Sequence, residues 1–141
     1  MRTFLRKLAL VFSAGCLGGL VNSIAVWGFG AAGITALLGV GIAPLLTAPW
    51  LYPRIVWGGI WGVLFLLPLK GSFLKKGLAY SLGPSLVQLF IVFPLKAKKG
   101  MMGLELGALT PLFVLLFNGF WGVAAALWLE AVSGEQGKSS L

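Results

Sequence analysis

Four uncharged, apolar runs divide this chain: residues 8–51, 55–69, 78–95 and 106–129. A helix crossing the hydrocarbon core of a bilayer needs about 20 apolar residues. The last three runs each predict one span, and the first is long enough for two. Cations fall between and around the runs, at Arg2, Arg6 and Lys7, at Lys70, Lys75 and Lys76, and at Lys96, Lys98 and Lys99.

The order of residues within the runs repeats. Gly59, Trp61, Gly62 and Val63 recur sixty positions later as Gly119, Trp121, Gly122 and Val123. Upstream, Gly33, Leu37 and Pro44 match Gly100, Leu104 and Pro111 at an offset of 67, and Leu20, Val21 and Asn22 lie over Leu86, Val87 and Gln88 at an offset of 66. One insertion of seven residues near "TAPWLYPR" accounts for the fall from 67 to 60. Each copy reads as a span, a Gly-rich connector ending in Pro, and a second span carrying Gly-x-Trp-Gly. Two spans are an even number, so both copies enter the membrane in the same sense and are related by a pseudo-twofold axis along the membrane normal.

The expected fold is therefore all-α and polytopic. Four transmembrane helices form two parallel-repeat hairpins, at about residues 8–28, 50–69, 78–93 and 111–129, within one domain of residues 1–132. Repeat one covers about 8–69 and repeat two about 78–129, followed by a polar tail at 133–141 expected to be disordered. Gly30, Gly33, Gly39, Gly41 and Pro44 make the first connector a poor free helix. Its counterpart carries Lys96, Lys98, Lys99 and Glu105, so both connectors are read as interfacial or re-entrant. A five-span arrangement is the alternative.

Composition makes lipid the solvent. With 59% hydrophobic and 10% charged residues and a mean hydropathy of +1.00, the chain has too little polar surface to cover a water-soluble core. Eleven Lys and Arg against three acidic residues give a net charge of +8, and the cations flank spans without an aromatic stacking platform, which speaks for lipid headgroups and against nucleic acid. Each such cation is worth roughly 1 kcal/mol near an anionic surface. Four spans with the N-terminus inside put Arg2, Arg6, Lys7, Lys70, Lys75, Lys76 and Lys138 on one side and Arg54, Lys96, Lys98 and Lys99 on the other. That bias points to both termini in the cytoplasm; five spans give the same count.

Candidate chemistry is sparse. The chain has no His and no Asp, and its carboxylates are Glu105, Glu130 and Glu135, so no enzyme activity, metal site or cofactor is expected. The Gly-rich connector lacks the Gly-Lys-Ser/Thr ending of a phosphate-binding loop. What remains are intramembrane amides beside small residues. Gly15, Gly19 and Asn22 share one helical face, as do Ser81, Ser85 and Gln88; Asn118 precedes Gly122 by four as Gly58 precedes Gly62. Trp61 and Trp121 flank these grooves. Small residues let helices approach closely and amides bond across the contact, with Asn22 and Gln88 expected to face each other near the axis. Pro84 should bend the third span. The first residues loosely resemble a lipoprotein signal with Cys16 as the acylated residue, but "LGGLVNSIAVWGF" continues as apolar helix, so a retained first span is expected.

At "VQLFIVFPLKAKKG" and "NGFWGV" the second half of the chain resembles the YagU-type family of small bacterial inner-membrane proteins, through Gln88, Leu89, Phe90, Phe93, Pro94 and Leu95. The His expected before the Trp-rich span is Asn118 or Gly119 here. The resemblance implies a polytopic inner-membrane protein. Three functions compete: an accessory or assembly subunit acting by helix association with other membrane subunits or itself; a transporter or channel with a polar path past Asn22, Gln88 and Asn118; and a lipid-binding protein using Lys96, Lys98 and Lys99.

Overall fold

The computed structural model describes residues 1–68 and 70–134. Among these there is no strand. Helix α1 spans Arg2–Ala31 and stops where Gly33 turns left-handed at φ 81°, a conformation that favours glycine. One turn, α2 (Ile34–Leu37), follows, and the Thr35 hydroxyl ties the connector down by donating to the Ile42 carbonyl at 2.7 Å. Helix α3 (Ala48–Trp61) starts after extended Thr47 with Pro49 in its first turn, where no N–H is required, and tightens into a 3-10 segment at Gly62–Leu66. Ser72 caps α4 (Phe73–Tyr80) by accepting from the Lys75 N–H at 3.3 Å.

The expected bend takes the form of an interruption. The helix breaks at Ser81, three residues before Pro84, and resumes as α5 (Leu82–Val87). From Gln88 to Lys96 it widens to π-helical register around Pro94, whose nitrogen has no hydrogen to donate. A 3-10 turn at Met101–Gly103 precedes α6 (Thr110–Gly134). Three helices are long and apolar enough to cross a membrane: Arg2–Ala31, Phe73–Lys96 and Thr110–Val132.

The helices run past the predicted span ends at 28, 93 and 129, to Ala31, Lys96 and Gly134. Each connector keeps a single helical turn rather than a half-helix. Ser133 and Gly134, assigned to the tail, close α6, and residues 135–141, with Glu135 and Lys138, lie outside the described chain, as does Leu69.

Helices α1 and α6 form the centre, with α3 packed on α1 and α4 on α6. Both outer contacts are backbone to backbone. A Cβ at Gly58 would stand 2.8 Å from Gly19 Cα, and one at Gly62 3.1 Å from Gly15 Cα. On the other side a Cβ at Gly122 would meet the Gly77 carbonyl and lie 3.3 Å from Ser81 Cβ. Trp121 crosses from α6 to α1, so closely that a Cβ at Gly18 would overlap its ring, and its indole N–H is shared by the Gly15 and Gly58 carbonyls at 3.2 Å each. Trp121→Phe keeps the ring and loses this donor. It should lower stability by about 1 kcal/mol, within the range for hydrogen bonds between helices in membranes, read as an earlier unfolding midpoint in an SDS titration.

Apolar side chains cluster at both ends of the bundle. Val11, Ala14, Phe65, Tyr80, Trp121 and Leu129 pack at one end, and Val26, Val40, Phe113 and Phe117 at the other, where Phe29 meets three phenylalanines edge-on. Outward, Leu37, Leu45, Leu82 and Leu86 are among many large apolar residues left exposed, as expected where the solvent is lipid. The two connectors meet over the second end, with the Gly41 N–H donating to the Leu106 carbonyl at 2.8 Å.

Candidate functional site: a polar layer ending in one arginine

Between the two apolar clusters the helices place a layer of polar side chains. Asn118 on α6 is its hub. Its amide nitrogen donates to Ser85 Oγ at 3.1 Å and Gln88 Oε1 at 3.3 Å, and its oxygen accepts from Asn22 Nδ2 at 3.4 Å. Asn22 Nδ2 also donates to the Phe117 carbonyl at 2.7 Å. Asn22 and Gln88 thus do not pair directly. Asn118 stands between them because α6, not the α5 segment, is the neighbour of α1. Ser23 and Ser85 turn their hydroxyl hydrogens onto the carbonyls four residues back, Gly19 and Ser81, at 2.7 Å each.

At one end of this layer stands Arg54, grouped in the sequence with charges that set topology. Its Nη2 donates to Asn22 Oδ1 at 2.6 Å, its Nε donates to Ser23 Oγ at 2.9 Å, and Trp50 lies under the guanidinium with 4.6 Å from Cζ to the ring centroid. Hydrogen-bond donation therefore runs in one direction, from Arg54 to Asn22, to Asn118, and on to Gln88 and Ser85. The amide oxygens point up the chain toward the cation and stabilise it. A signal for Arg54 existed in the sequence: Trp50, Arg54, Gly58 and Gly62 recur every four residues and share one helix face. Among the described residues no carboxylate pairs with Arg54. Glu105 and Glu130 are exposed.

Two cavities meet at Arg54. The larger, about 410 Å³, separates α3 from the α5 segment, with Arg54, Trp57 and Trp61 on one wall, Gln88, Val92 and Lys96 on the other, and Asn22 and Asn118 at the floor. The smaller, about 390 Å³, lies beneath the first connector and is lined by Asn22, Trp50, Arg54, Gln88, Phe93, Val114 and Phe117 among others. At the far end of the larger cavity the outer helices come together, where a Cβ on Gly83 would be 2.9 Å from Leu64 and 3.4 Å from Trp61. The result is a groove with a polar floor, an aromatic wall and a basic rim.

Comparison with protein families, curated proteins and solved structures finds no match. The three apolar helices fit a multi-pass membrane protein.

The remaining sequence candidates divide into three groups. Gly15, Gly19, Gly58, Gly62 and Gly122, with Ser81, are occupied in contacts within the chain. Lys70 and Lys75 are exposed and Lys76 is half-buried over the Phe73 ring at 5.4 Å, at the turn between α3 and α4. Lys96, Lys98 and Lys99 are exposed at the opposite end, and only Lys96 reaches the groove. Cys16 sits halfway along α1, half-buried, with its sulfur against Gly59.

Proposed function

We propose that this chain is a non-enzymatic protein of the bacterial inner membrane, built from a duplicated hairpin with four spans, that binds and passes a small molecule through the groove on its pseudo-twofold axis. Duplication is supported by contacts that repeat at the sequence offsets. Gly15 against Gly62 corresponds to Ser81 against Gly122, and Val11 against Gly62 corresponds to Gly77 against Gly122. Residues related by the repeat also touch, as they must beside a twofold axis: a Cβ at Gly107 would lie 3.0 Å from Val40 Cα, and these positions correspond at the offset of 67. A fourth span is supported by α3 with its 3-10 extension, Ala48–Trp61 and Gly62–Leu66. At the usual rises these give a rod of about 30 Å, the thickness of the hydrocarbon core. With both termini cytoplasmic, the basic rim at Arg54 and Lys96 opens on the opposite side.

The observation that carries the function is the directed chain from Arg54 to Gln88 facing the two cavities. A buried polar layer used only for packing would be enclosed by its own partners. Helix association with a partner rests on small-residue faces, many aromatic residues and sparse polar side chains, and of these faces Gly15, Gly19, Gly58, Gly62 and Gly122 are occupied within the chain.

The groove is tested on a Cys16→Ser background with Val87→Cys or Val92→Cys. A membrane-impermeant thiol reagent added from the non-cytoplasmic side should label both. No labelling at either position would mean a groove closed to water and would end this reading. For transport, replacing Asn22, Gln88 and Asn118 together by Leu should abolish solute flux in liposomes while the fold persists. Unchanged flux would remove the path.

A second reading, helix association with another membrane subunit or a second copy, is favoured by one observation. The Phe73–Lys96 span is 28% buried in its most apolar window, against 44% and 50% for the other two long helices. Crosslinking in native membranes followed by mild-detergent purification decides it; a strictly monomeric, partnerless species would exclude association.

A further inference from the structure

We propose that the groove takes an amphipathic organic anion, with its carboxylate or phosphate on Arg54 and its apolar body along Trp57 and Trp61. This rests on the groove reading above and adds the ligand's charge and shape. Arg54 commits Nε to Ser23 and Nη2 to Asn22, while Nη1 makes no hydrogen bond with any described residue. Arg54 is half-buried and lines both cavities. Ser23, Asn22 and the Trp50 ring hold the guanidinium in place, so little freedom is lost when it grips an anion.

The surroundings point the same way. Lys96 adds a second positive charge on the facing wall, Gln88 presents an amide whose nitrogen makes no hydrogen bond with a described residue, and neither cavity has a carboxylate in its lining. A small inorganic anion would satisfy Arg54 but leave the aromatic wall unfilled. A neutral apolar molecule would fill the wall but leave the cation unneutralised. A volume of about 410 Å³ lies within the usual range for organic ligand sites. The anion has two possible sources, a free organic acid and an anionic lipid, and both share this chemistry.

Tryptophans in the wall make the test direct. The full chain in neutral detergent is titrated with undecanoate brominated at its terminal carbon, whose bromine quenches indole fluorescence, and with the matching bromoundecanol. In bilayers the same measurement compares brominated phosphatidylglycerol with brominated phosphatidylcholine. Saturable quenching by the acid at least about tenfold tighter than by the alcohol is expected, a difference of about 1.4 kcal/mol. Arg54→Gln should erase that preference, and Lys96→Gln should reduce it about threefold.

A preference seen only with the acid assigns a free organic anion, and one seen also with phosphatidylglycerol assigns an anionic lipid. Equal affinity for acid and alcohol overturns the anion inference while leaving the groove reading intact. No saturable quenching by any of the four probes overturns both. Should Arg54→Gln fail to fold, phenylglyoxal modification of Arg54 in the native chain decides. Bromoundecanoate should slow it and bromoundecanol should not, and modification unslowed by the acid defeats the proposal.

Discussion

Gly122→Val is expected to cost at least about 3 kcal/mol, the upper end for overpacking a tight contact. A side chain at Gly122 has nowhere to go: its Cβ would strike the Gly77 carbonyl and lie 3.3 Å from Ser81 Cβ, while a Cβ at Gly77 would strike Gly122 in return. The opposing atoms are mainly backbone, so no rotamer change relieves the clash, and α4 must separate from α6. Gly28→Ala is the control, since a Cβ there meets nothing within 4 Å; it should change stability by less than about 0.5 kcal/mol. Unfolding midpoints in SDS titrations measure both. Equal effects from the two substitutions would mean that the helices do not meet at Gly122. On the duplication reading Gly62→Val should match Gly122→Val, because Gly62 meets Val11 and Gly15 in the same way.

Asn118→Leu is expected to lose about 2 kcal/mol. Asn118 bonds to Asn22, Ser85 and Gln88, and hydrogen bonds between helices in membranes average about 0.6 kcal/mol each. The substitution also removes the link that carries polarisation from Arg54 across the bundle. A double-mutant cycle with Asn22→Ala and Asn118→Ala should return a coupling of about 0.6 kcal/mol. Zero coupling would reduce the layer to separate neighbours. Asn22 keeps its bond to the Phe117 carbonyl, so the single change at Asn118 should weaken the layer without unfolding the chain.

Much of this was legible in the sequence, and the reasons are physical. Apolar run length reports bilayer thickness, which is why the long helices are legible in the sequence alone. The faces of Gly15, Gly19 and Asn22 and of Ser81, Ser85 and Gln88 follow from helical periodicity alone. Arg54 escaped because a lone cation between apolar runs has the same signature whether it anchors at a headgroup or turns inward; only the Trp50–Arg54–Gly58–Gly62 spacing separates the two. The hub role of Asn118 depends on which helix is the neighbour of α1, a tertiary fact no local pattern carries. The π-helical register around Pro94 likewise follows from how the segment accommodates its missing donor, not from hydropathy.

On the duplication reading one difference between the halves bears on stoichiometry. Extending the offset of 60 back to the end of α3's first half sets Arg54 against Val114, and both residues line the smaller cavity. In a symmetric pair of separate hairpins every cation would come twice, and two guanidiniums facing one void would repel each other and need two counter-ions. Joining the hairpins into a single chain frees each half to diverge, so that one keeps the charge while the other becomes an oily wall. On the proposed binding function, such a lopsided chamber would admit one guest at a time and fix which end of it goes in first.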